Sequence, residues 1–165
     1  MAMSCPMKHL ILALVLLAPA SALADRAPTS LGTFGDWTAA TYGSGAAKAC
    51  YAFTTAQTST PSLAKRGAVM LTVTQRKADR DEVTLAAGFD YPAKPVVTLT
   101  VGATAIDFYT SGQTAFTTSG AQAVAAFRTG DKAVAKTVGP SGYVLDTFSL
   151  SGFSGAYGAI TKACP

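Results

Sequence analysis

The chain has 165 residues, 13 lysines and arginines against 9 aspartates and glutamates, a formal net charge of +4, and 49% hydrophobic residues. That length suits one ordinary domain with a sizeable core. The mild basicity is dispersed among acids and alanines, which argues against a dedicated nucleic-acid binder and is compatible with loose attraction to an anionic surface.

The first 24 residues read as a signal peptide. Lys8 and His9 precede an apolar run from Leu10 to Leu17, and Ala22-Leu23-Ala24 is a small-x-small cleavage pattern. The apolar run is far short of the ~20 residues that span a bilayer, so no transmembrane segment is expected after signal removal. Cleavage near Ala24-Asp25 leaves residues 25–165 as a single domain and removes both Cys5 and the chain's one histidine, His9. Export to the periplasm, or on to the cell surface or medium, follows from this reading. Two cysteines then remain, Cys50 and Cys164. In an oxidising compartment they read most simply as one disulfide, with two separate thiols as the alternative.

Asp25 to Thr33 contains Pro and Ser and is expected to be a loose lead. Phe34 to Tyr42 reads as a first strand, Gly43-Ser44-Gly45 as its turn, and Lys48 to Thr55 as a second strand with Cys50, Ala52 and Thr54 on one face. Thr58 to Ser62 is a polar break. From Gly67 to Lys77 the alternation is clear, with Val69, Leu71 and Val73 pointing one way. Asp79-Arg80-Asp81 turns the chain into Glu82 to Phe89, with Val83 and Leu85 inward. Val96 to Val101 and Ala105 to Tyr109 flank Gly102-Ala103-Thr104 as another hairpin, and Thr114 to Thr118 adds a short strand.

The period then changes. Ala121 to Arg128 is alanine-rich and helix-favouring, with Gly130 placed at its C-terminus. Lys132 to Val138 and Tyr143 to Leu150 form a hairpin around Gly139-Pro140-Ser141-Gly142. The closing stretch places Phe153, Tyr157, Ile160 and Cys164 on one helical face, with Ser151 or Ser154 as N-cap. Many short strands joined by tight turns predict a mainly β fold, an antiparallel β-sandwich or barrel-like domain with two short helices, the last at the C-terminus.

Catalytic constellations are scarce. Without a histidine in residues 25–165 there is no Ser-His-Asp or Cys-His arrangement and no His-containing zinc site, and no cofactor is implied. Ser62-Leu63-Ala64-Lys65 matches S-x-x-K, but Pro61 and the polar run before it suit a surface turn better than the buried helix that motif requires. Asp79, Asp81 and Glu82 could gather oxygens around a cation, yet Lys77 and Arg80 lie among them, and a solvated turn is the better reading. Trp37 reads as a core residue, with a binding anchor as the alternative. Lys65-Arg66 and Arg76-Lys77-x-x-Arg80 read as solvated hairpin ends that could contribute to a binding surface. Asp146 lies between Val144 and Phe148 on one strand face and, if buried, needs hydrogen-bond partners.

Phe34-Gly35-Asp36-Trp37 with Cys50, the Phe127-Arg128-Thr129-Gly130 helix end, and Asp146-Thr147-Phe148-Ser149-Leu150-Ser151-Gly152-Phe153 followed by Ala156 and Cys164 resemble the invasion-associated locus B family of alphaproteobacterial envelope proteins. The resemblance covers nearly all of residues 25–165. It departs at Gly155 and Gly158, where alanine-like residues are expected, which implies a weaker closing helix here. What it implies is a small, β-rich, periplasmic or secreted protein without enzymatic activity, linked in pathogenic members to host-cell entry. The expected partner is a protein or envelope component, with a host-cell surface as one option. A structural or stress-related periplasmic role, or a small Ser62/Lys65 hydrolase, are the alternatives.

Overall fold

A computed structural model describes residues 27–92 and 94–165; the expected signal peptide, its cleavage site, Cys5, His9 and Asp25 lie outside the described residues. The described chain forms eleven antiparallel strands and two α-helices. The strands are β1 (Thr29–Phe34), β2 (Trp37–Tyr42), β3 (Ala49–Thr55), β4 (Thr58–Thr60), β5 (Met70–Gln75), β6 (Glu82–Ala86), β7 (Val97–Val101), β8 (Thr104–Ser111), β9 (Thr114–Phe116), β10 (Lys132–Gly139) and β11 (Gly142–Ser149). The helices are α1 (Gly120–Thr129) and α2 (Phe153–Ala163). The sheet order is β1-β2-β3-β5-β6-β9-β8-β7-β10-β11-β4.

The sheet folds over at β8, whose first half pairs with β7 and whose last residues pair with β9. This makes a sandwich-like pair of layers, not a closed barrel. The chain itself links the layers a second time. β3 leaves the first layer at Thr55, and within three residues β4 pairs with β11 in the second. The polar break expected at Thr58 to Ser62 is therefore partly a strand, too short for its alternation to register. The loose lead is also partly ordered, because Thr29–Phe34 pairs with β2 across the Gly35-Asp36 turn, dividing the single strand expected over Phe34 to Tyr42.

Alternation decides which side chains face inward. Cys50, Ala52, Leu71, Val73, Val83 and Leu85 from the first layer, and Leu99, Ile106, Ala133, Ala135 and Phe148 from the second, belong to one buried cluster. α2 lies against β1, β2, β3 and β5, and α1 against β6, β8 and α2. Phe153, Ala156 and Ile160 form the buried side of α2, with Tyr157 half-buried. The expected serine cap is absent. Gly152 holds the N-cap position with φ 87° and no side-chain cap, because the chain crosses β1 there and a Cβ would collide with the Phe34 carbonyl oxygen. Gly35, with φ 54°, meets the same crossing from the other side, a Cβ there lying 2.7 Å from the Ser151 oxygen. The two motifs are locked by Asp36 N–H donating to Ser151 O at 3.1 Å and Trp37 Nε1–H to Ser149 O at 3.0 Å. Gly155 also has a packing reason, since a Cβ would lie 2.8 Å from the Phe34 ring.

Cys50 on β3 and Cys164 after α2 are disulfide-bonded, with Cα atoms 5.9 Å apart and a separation of 114 positions in sequence. Closing so long a loop restricts the unfolded chain by about 4–5 kcal/mol in the chain-entropy account. Intact mass without reductant is therefore expected two protons below the reduced mass with no alkylatable thiol, and the Cys50→Ala/Cys164→Ala protein is expected to lose about 4 kcal/mol in urea unfolding. Two free thiols in the unreduced protein would refute the pairing.

Candidate functional site

The inward row of β11 reads Val144, Asp146, Phe148, and Asp146 is wholly buried. A bare carboxylate there would be prohibitively costly, so its partners decide whether the strand can form. Arg66, from the segment joining β4 to β5, supplies a bidentate pair, with Nη1 to Oδ1 at 2.7 Å and Nη2 to Oδ2 at 2.8 Å. Its side chain is 6% exposed and that of Asp146 0%. Arg66 Nε–H donates to Ala87 O at 2.7 Å, and the guanidinium carbon sits 4.9 Å from the centre of the Phe89 ring. Ser59, directly opposite Asp146 in the β4–β11 register, donates its hydroxyl to Oδ1 at 2.7 Å. The three donors leave the carboxylate acting as an acceptor and not as a free base, and the guanidinium has no open fork for a second anion.

Two polar atoms nearby are less well provided for. The Tyr91 hydroxyl is buried without a hydrogen-bond partner, as is Thr137 Oγ1, one inward position along β10 from the Ala135 that faces Asp146. Burial, then the negative charge of Asp146, push the Tyr91 phenol above its ordinary range, with Arg66 opposing. A cavity of about 260 Å³ opens beside this cluster, lined by Leu63, Lys65, Arg66, Phe89, Pro140 and Ser141 among others.

The remaining expected site residues separate. Ser62 lies in irregular chain and Lys65 in a turn, with φ 60°, so the two are not one helical turn apart on a helix. Trp37 is 0% exposed and packs edge-on against Phe153 at 4.9 Å, so it is a core residue rather than a surface anchor. Arg66 is turned inward, away from any solvated hairpin end. Arg76 pairs with Glu82. At the end of α2, Arg80 Nη1 donates to Cys164 O at 2.5 Å and Lys48 Nζ to Ala163 O at 2.7 Å, cations satisfying the last carbonyls of a helix. Lys77 and Lys48 line a cavity of about 430 Å³ there with Gly45 and the last three residues. The six residues of β5 separate Lys65 and Arg66 from Arg76, Lys77 and Arg80, so the basic residues do not form one surface. Asp81 accepts from Gln75 Nε2 and from the Tyr157 hydroxyl, each at 2.6 Å. No group of three or more potential metal-ligating side chains occurs among the described residues.

Sequence reasoning missed Ser59, Tyr91 and Lys48. Ser59 would have followed from treating Thr58–Thr60 as a strand; Tyr91 and Lys48 have no local signal, because their neighbours are distant in the chain.

Breaking the buried pair by Arg66→Met is expected to cost about 3–5 kcal/mol, and pairing it with Asp146→Leu to recover most of that loss, measured by urea unfolding. Raised phenol pKa values mean stability that is complete below the ordinary tyrosine value near ~10 and is lost as pH rises through the folded value. Tyr157, shifted up by burial and its bond to Asp81, acts in the same sense. Tyr91→Phe should leave neutral-pH stability unchanged or raise it by up to about 1 kcal/mol, and make the decline above pH ~10 shallower; equal alkaline slopes would contradict the assignment.

A family model described as Invasion associated locus B (IalB) protein matches residues 37–161. No curated protein and no solved structure matches the chain.

Proposed function

This chain belongs to the invasion associated locus B family, and from that premise we propose that it is an exported, non-enzymatic envelope protein of a single domain that acts by binding. Export rests on the N-terminal leader pattern and agrees with a long-range disulfide. The observation that carries the non-enzymatic reading is the state of the buried Arg66–Asp146 pair. Each partner's charge is taken up by the other and by Ser59 and Ala87, which leaves no poised nucleophile, base or oxyanion donor in that cluster. Ser62 and Lys65, the rival hydrolytic pair, lie in irregular chain and a turn instead of on a shared helical face.

The partner is an envelope component or, in a pathogenic host setting, a cell surface. A purely structural periplasmic role is the second reading, favoured by how much of the polar chemistry is spent on holding the fold. Cross-linking in the native compartment followed by mass spectrometry separates them. The binding reading expects a recurrent partner, and recovery of no cross-linked partner would leave the structural reading. A serine-reactive probe is expected not to label the protein; labelling lost in Ser62→Ala would establish the hydrolase instead.

A further inference from the structure

Of the exposed large hydrophobic residues, Tyr143 (62%) and Leu145 (43%) lie on β11, Tyr109 (58%) on β8, and Val96 (70%) immediately before β7. The register relates them. Tyr143 pairs with Val138 between β11 and β10, and Tyr109 with Phe116 between β8 and β9, their rings 5.6 Å apart. Between them, Lys136 pairs with Thr98 and Val97 with Phe108, so extending either ladder toward Val96 places it between Val138 and Tyr109. Tyr143 and Val138, then Val96 just before β7, then Tyr109 and Phe116 therefore follow one transverse row of outward residues that runs over the fold at β8. Leu145 and Lys136 begin the adjacent row, and Lys136 Nζ lies 4.3 Å from the centre of the Tyr143 ring.

We infer that this stripe is a membrane-docking face, seating the protein on an anionic lipid surface. The inference rests on the reading of the protein as an exported envelope binder and names its partner. Two features favour lipid. The stripe is valine, phenylalanine and hydroxyl-tipped tyrosine, the composition that partitions to the headgroup boundary. Exposed lysines surround it. Lys136 lies in the next row, Lys94 is two residues from Val96, and Lys65 lines the cavity shared with Pro140 and Ser141 in the β10–β11 turn. The acids at this end are Asp90 and Asp107, the latter accepting from Thr98 Oγ1 at 2.9 Å. Neither cavity described above is lined by Tyr143, Val138, Val96, Tyr109 or Phe116, and no described helix is long and apolar enough to cross a membrane. Contact through this face is thus peripheral.

The test is co-sedimentation of the protein recovered from exporting cells, confirmed by mass to lack residues 1–24, with vesicles of phosphatidylglycerol and phosphatidylethanolamine and with purely zwitterionic vesicles. Binding to the anionic vesicles is expected to weaken at high salt. Val96→Asp/Tyr109→Ser should lower the partition coefficient at least about tenfold, while Ala121→Asp on the exposed side of α1 leaves it unchanged; thermal unfolding and the disulfide report that both variants fold. Failure of the wild type to sediment, or equal sedimentation of the stripe variant, would overturn the inference. So would a concentration-dependent dimer abolished by the same variant, which would make the stripe a contact between two copies. A cross-linked protein partner recovered despite absent lipid binding would overturn this inference while leaving the binding function standing.

Discussion

Trp37 is the joint on which the architecture turns. Its indole is buried among Phe127 and Phe153, and its one polar atom is satisfied by the Ser149 carbonyl at the end of the last strand. A buried indole without that acceptor would carry an unpaired N–H, so packing and hydrogen bonding constrain each other. Because Trp37 begins β2 and Ser149 ends β11, the contact ties the start of the first layer to the end of the second. Gly35 and Gly152 permit the close crossing that the contact demands, and α2 starts from that crossing with its Phe153 ring already against the indole. The segments Phe34-Gly35-Asp36-Trp37 and Ser149-Leu150-Ser151-Gly152-Phe153, far apart in sequence, are two halves of one structural device.

The clasp at the far end of α2 depends on the joint. Once Phe153 fixes where the helix begins and Ile160 where its buried face lies, Cys164 arrives over β3, within bonding distance of Cys50. Lys48 and Arg80 meet the last carbonyls of the same helix, which contains two glycines and has no side-chain N-cap. The helix is held by its surroundings more than by its own propensity.

Opposite this apolar joint lies a polar one. Arg66 and Asp146 tie the β4–β5 segment across the interior to β11, where a hydrophobic pair of similar volume could also have packed. What the ion pair adds is direction. A bidentate fork with a serine opposite in register admits one alignment of β4 on β11, and β4 is where the chain passes between layers. The Arg66–Asp146 pair is taken up in specifying the fold, and on the surface the unusual feature is the aromatic and aliphatic row across β11, β10, β7, β8 and β9.

Sequence by itself determined the mainly β class, the inward sets on β3, β5, β6 and β11 and the closing helix, because each follows from a local period; the Cys50–Cys164 bond was its simplest expectation, with two thiols as the alternative, and the fold brings the two together. It also identified Asp146 as a residue needing partners. Only the tertiary structure decided who those partners are, that Trp37 and Arg66 turn inward, that Thr29–Phe34 and Thr58–Thr60 are strands, and that the basic residues divide between two ends of β5. The reason is physical. Alternation is read along one strand, whereas Ser59 opposite Asp146, Tyr143 beside Val138, or Tyr109 beside Phe116, depends on register across strands, which the folded sheet sets through contacts distant in the chain.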